Sequence, residues 1–179
     1  RPLRARSSRA LARGACFDDM TGADATPQHV CASTGSGFAE FELASIEQSI
    51  GACFERQVRR HPACLAVKTG THQLTYADLD RQANRIAAAI LARRGEGPEP
   101  VALLFDQVAP LIAAILAVLK TGKAYVALDP TYPPARLSAM LDNADSKLIV
   151  ADESSVRAAH VVTRGERSLL HVDEATSCG

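Results

Sequence analysis

From residue 65 to residue 172 the chain alternates short apolar runs with segments whose apolar residues recur every three or four positions. Residues 101–105, 125–128, 147–151 and 168–172 read as strands. Between them lie a helix over about 108–121, one carrying Leu137, Met140 and Leu141, and a short one over 154–161. Strands and helices alternating at such intervals predict a mostly parallel α/β sheet with right-handed crossover helices. Residues 101–105 are uniformly apolar up to Asp106, as expected of a central strand covered on both faces. Pro110 is tolerable because it falls in the first turn of its helix.

Two more helices precede the strand at 101–105. Ile46, Ile50, Cys53, Phe54 and Val58 share helical spacing after a capping box, Ser45-Ile46-Glu47-Gln48, and Pro62 marks the stop. Residues 65–67 and 73–75 are strand candidates around the turn Thr69-Gly70-Thr71. A second box, Thr75-Tyr76-Ala77-Asp78, opens a helix whose apolar stripe is Leu79, Ala83, Ile86, Ala87, Ile90 and Leu91. Gly95-Glu96-Gly97-Pro98 breaks it.

Residues 1–44 have no sustained period and read as a linker or poorly ordered segment, with residues 45–179 as the folded part. Hydrophobic residues make up 47% of the chain, enough for a substantial core. Twenty basic and twenty acidic residues cancel, which argues against a nucleic-acid-coating protein. The balance is uneven, since Arg1, Arg4, Arg6, Arg9 and Arg13 stand together without an acid. Five cysteines at irregular spacing, with no CxxC, predict free thiols in a reducing, cytoplasmic compartment. No apolar run is long enough to span a membrane. The chain opens on Arg and ends on Ser-Cys-Gly without closing an element, so both ends read as cuts.

Candidate chemistry is sparse. Gly122-Lys123 invites comparison with a phosphate loop, but that pattern needs a glycine five positions earlier and a hydroxyl after the lysine; Ala117 and Ala124 stand there. The order is also reversed, because helix, turn and strand place Gly122 at a helix C-terminus, whose dipole disfavours phosphate. Gly122 is expected at the left-handed C′ position, with Lys120 on the last carbonyls and Lys123 solvated. Gly35-Ser36-Gly37 lacks the preceding strand of a dinucleotide site, and Asp18-Asp19 diverge in direction. The five histidines share no ligand spacing, so no catalytic, cofactor-binding or metal residue is assigned. Tyr125 and Tyr132 are expected to pack at the sheet edge.

Two stretches nevertheless resemble motifs of nonribosomal peptide synthetase adenylation domains, in the AMP-binding, acyl-adenylate-forming ligase superfamily. Leu74-Thr75-Tyr76-Ala77-Asp78-Leu79 resembles their first core motif, with Asp78 in the acidic slot. The run from Leu119 through Lys120, Thr121, Gly122, Lys123, Ala124, Tyr125, Val126, Ala127, Leu128 and Asp129 to Pro130 resembles the second. Phe54-Glu55, Gln57-Val58 and Pro62 match the family's opening helix, and Ala83-Asn84-Arg85 its second helix. Tyr132-Pro133 with Arg136-Leu137 matches the turn and helix after the second motif. Thr121, Ala127 and Asp78 replace the family's usual Ala, Pro and Glu.

The resemblance covers about residues 45–173 and implies an incomplete N-terminal subdomain of an adenylate-forming enzyme. Both motifs would be architectural. The phosphate loop, specificity pocket, ribose-binding Asp and catalytic Lys of such domains lie further along. The whole enzyme would activate an amino acid with ATP and Mg and pass it to a phosphopantetheine thiol. Its partners would be the remainder of the adenylation domain and the carrier and condensation domains, with no nucleic acid or membrane. An acyl-CoA or acyl-carrier ligase fragment stands as the alternative. So does a non-catalytic flavodoxin-like, receiver-like or docking module.

Overall fold

The computed structural model describes residues 46–70, 72–163, 165 and 167–172. Ser45, Thr71, Asp173, the expected linker 1–44 with its Asp18-Asp19 and Gly35-Ser36-Gly37, and Cys178 lie outside them. Helix α1, Ile50–Arg60, starts later than expected. Its N-cap is Ser49, whose hydroxyl accepts from Ala52 N at 3.1 Å. Ile46 and Ile50 are both 64% exposed, so burial does not drive an earlier start. Gly51 is buried instead, facing Lys120 of a later helix. Phe54 reaches the core and tilts against Tyr76, ring centroids 6.2 Å apart.

Strands β1, Leu65–Lys68, and β2, Gln73–Thr75, pair antiparallel as a small separate sheet. Helix α2, Tyr76–Arg94, follows directly, capped by the full Thr75–Asp78 box. Such a cap is worth about 1 kcal/mol. The amides of Tyr76 and Ala77 are satisfied by the carbonyls of Cys64 and Pro62, at 2.9 and 3.0 Å. Arg94 ends the helix in a two-point ion pair with Glu99. Cys53 carries a free thiol.

The main sheet holds β3 (Val101–Leu104), β4 (Tyr125–Leu128), β5 (Leu148–Ala151) and β6 (Ser168–His171), in spatial order β4-β3-β5-β6 and wholly parallel. β3 and β5 are buried along their whole length, as central strands should be. The crossovers are α3 (Val108–Lys120), α4 (Pro134–Asn143) and α5 (Val156–Thr163). α2 and α3 cover one face, packing Ile86, Ile90 and Ala117 against Val101, Leu103, Leu148 and Val150. α4 and α5 cover the other, packing Leu137, Leu141 and Val162 against Leu104 and Ile149. Each such Leu, Ile or Val side chain stabilises the fold by about 1.5–3 kcal/mol. α5 begins two residues later than expected because residues 153–155 form a turn held by Asp152.

Candidate functional site

The Gly-Lys motif closes α3. Gly122 has φ +72°, its amide donates to Leu119 O at 3.2 Å, and the Lys123 amide donates to Val118 O at 3.3 Å. These two bonds are a Schellman motif, which satisfies carbonyls the helix leaves open. The chain then enters β4 with Tyr125 40% exposed on the edge strand and Leu128 buried. Asp129 closes the strand in a turn, its carboxylate accepting from Thr131 N at 2.8 Å and Thr131 Oγ1 at 2.7 Å. The Thr131 hydroxyl and then its amide hold that carboxyl below the ordinary carboxylate value. Pro130 follows, and Tyr132 packs on the α4–α5 core with the Arg136 guanidinium 4.0 Å from its ring centroid.

Neither lysine of the motif takes its expected place. Lys120 does not settle on its own helix's carbonyls. Its Nζ donates to Asp80 Oδ1 at 2.8 Å, Asn84 Oδ1 at 2.8 Å and Glu55 Oε1 at 2.9 Å, joining α3 to α1 and α2. Burial alone would lower its pKa; the hydrogen bonds to Asp80 and Glu55 outweigh that and raise it. Lys123, expected in solvent, is only 3% exposed, and its Nζ donates to Gly97 O at 2.8 Å. The turn after Gly122 aims this side chain back over the 95–100 connection, where the Gly97 carbonyl satisfies it. Both ammonium groups are therefore engaged by the protein.

The first motif is an equally local arrangement. Leu74, the middle residue of β2, packs against the core and Leu79 is buried in α2. The Thr75 hydroxyl donates to Asp78 Oδ2 at 2.6 Å, while the Thr75 amide donates to it at 3.2 Å. The Thr75 hydroxyl bond is the chief reason the Asp78 carboxyl lies below its ordinary value, with the nearby Arg81 guanidinium a lesser one.

The structure brings together one group that sequence reading missed. Asp152, directly after β5 and 5% exposed, accepts from the amides of Asp106 and Gln107 at 3.1 Å each through Oδ2. Its Oδ1 accepts from Ser154 Oγ and Ser155 N at 2.9 Å. Burial opposes ionisation, but the bonds from Ser155, Gln107, Ser154 and Asp106 prevail and lower the pKa. Gln107, the N-cap of α3, makes no side-chain cap of its own, and Asp152, just past β5, holds the two amides that lead into that helix. The only local sign in the sequence is an Asp-Glu pair between an apolar run and Ser-Ser.

Beside it, a 430 Å³ cavity opens at the C-terminal ends of β3 and β4, with Phe105, Leu111, Leu128 and Met140 among its apolar walls and Asp106 and Asp129 in its lining. Among the described residues, no three His, Cys, Asp or Glu side chains gather as a metal site requires, and no helix is long and apolar enough to cross a membrane.

This wholly parallel β4-β3-β5-β6 sheet with helices on both faces has the fold of the N-terminal subdomains of adenylate-forming enzymes, as its similarity to solved structures shows. Residues 54–177 match the AMP-binding enzyme family, and the chain belongs to it. It is 35% identical over 133 residues to bacitracin synthase 1 of Bacillus licheniformis, an alignment covering 74% of this chain and 2% of that protein. It is 44% identical over 127 residues to the isonitrile lipopeptide synthase of Mycobacterium tuberculosis, covering 70% of this chain and 4% of the relative. The crystal structure of the nonribosomal peptide synthetase FmoA3, bound to α-methyl-L-serine-AMP, superposes with a TM-score of 0.68 at 23% identity. That superposition covers 74% of this chain and 15% of the other and speaks to the fold. The chain thus spans a small part of the relatives it matches.

Proposed function

We propose that residues 45–179 are the N-terminal portion of an amino-acid-activating adenylation domain of a nonribosomal peptide synthetase, and that they act as its scaffold. Residues 1–44 would be the linker from a preceding domain. In this reading the remainder of the domain supplies the ATP- and Mg-binding groups and the amino-acid pocket. A carrier domain supplies the phosphopantetheine thiol, a condensation domain uses the product, and the assembly is cytoplasmic. The observation that carries the reading is the second motif, where Lys120, Gly122, Tyr125, Leu128 and Asp129 serve as helix end, strand and turn. The groups of that motif and the amides before α3 do not suit the phosphates of ATP, which supports the reading. Gly122 offers a helix C-terminus, Lys120 and Lys123 are engaged, and the amides before α3 are taken by Asp152.

Amino-acid-dependent ATP–pyrophosphate exchange tests this, measured on the 179-residue chain and on one extended through the following half-domain. Exchange is expected from the extended chain alone. Exchange by the short chain, or none by the extended one with any amino acid, contradicts the reading.

A further inference from the structure

Open α/β sheets bind ligands at a topological switch point, where neighbouring strands send their following connections to opposite faces. Here that point lies between β3 and β5. They pair directly, Leu104 beside Ala151, yet β3 leads into α3 on one face and β5 into α5 on the other. The crevice so formed lies at the N-terminal approach to a helix of 13 residues, a usual place for a phosphate, where the amides of Asp106 and the N-cap Gln107 point into it.

The Asp152 carboxylate already occupies this place. One oxygen takes the Asp106 and Gln107 amides leading into α3, and the other takes Ser154 Oγ and the Ser155 amide leading into α5. Topology and hydrogen bonding are independent observations, and they coincide on one group. At 5% exposed, the carboxylate leaves little room for a second anion. We propose that Asp152 is a built-in anion that seals the switch-point crevice and excludes phosphate-bearing ligands from it. It also ties together the two connections that diverge there. The inference concerns this crevice alone and holds whatever reaction the longer protein performs.

The test titrates sodium sulfate into the ¹⁵N-labelled 179-residue chain, against sodium chloride at equal ionic strength, and follows the amides of Asp106 and Gln107. In the unmodified chain these amides should show no saturable response. Asp152→Ala empties the crevice and should make both shift saturably with sulfate, with a rise in Tm that chloride does not reproduce. Asp152→Asn refills the space without the charge and should stay unresponsive. If Asp152→Ala does not fold in chloride, sulfate is expected to restore its dispersed spectrum. A saturable response in the unmodified chain overturns the proposal. So does an Asn variant that binds as Ala does, or an Ala variant with neither response nor rescue.

Discussion

Lys120 Nζ lies 2.8 Å from Asp80 Oδ1, and this contact is the centre of a junction between three helices. Glu55 of α1 completes it at 2.9 Å, and the Phe54 ring lies 5.9 Å from the ammonium. A lysine that sequence comparison marks as part of a motif is here a tie between α1, α2 and α3.

Replacing Lys120 by Met keeps the stem and removes the charge. It leaves Asp80, whose side chain is 22% exposed, without its cationic partner. A loss of about 1.5–3 kcal/mol is expected, the range for hydrogen bonds to charged groups. Urea denaturation checks it, and Asp80→Asn in the Lys120→Met background should then cost less than in the unmodified chain. Additive losses would contradict the tie. Because the Lys120 pKa is raised, its contribution is complete below the ordinary 10.5 and is lost as pH rises through the folded value.

Gly122 offers a purely backbone test. A Cβ there would meet nothing within 4 Å, so Gly122→Ala costs only the left-handed φ of +72°. About 1–2 kcal/mol is expected, with Gly122→Asn costing less because Asn tolerates that region. Equal stability of all three chains would show that the Schellman turn carries no weight.

These two residues also show what the sequence could reveal. The Gly122 turn, the Thr75–Asp78 box and the bounds of β4 depend on residues within a few positions, and their spacing alone places them. The destination of a long side chain does not. Lys120 reaches residues 36 to 65 positions away, Lys123 reaches back 26, and Asp152 meets amides 45 and 46 positions distant. Such partners exist only once helices and strands pack, so the expectations for both lysines failed and Asp152 went unnoticed. The start of α1 differs for a related reason, since its seat is the buried Gly51 and not its exposed isoleucines.

Lys123→Met should release the 95–100 connection. The Gly97 carbonyl loses its partner, an expected cost of about 1–2 kcal/mol. Hydrogen exchange should quicken over residues 95–100 while the β3 amides remain protected. Unchanged exchange there would contradict the role of the lysine as a latch.

Asp152 gives a pH signature. Its pKa is lowered in the fold, so the stability it contributes is present above the ordinary 3.8 and is lost as pH falls through the lower folded value. Urea midpoints measured downward from about pH 6 should fall more steeply at the acid end in the unmodified chain than in Asp152→Asn. Parallel curves would contradict an ionised Asp152.

The central claim, that this chain is scaffold and grips no nucleotide, is tested most directly by equilibrium dialysis of the 179-residue chain against radiolabelled ATP with magnesium. No saturable binding is expected, with saturable binding appearing once the chain is extended into the following half-domain. Saturable, stoichiometric binding of ATP by the 179-residue chain itself would contradict it.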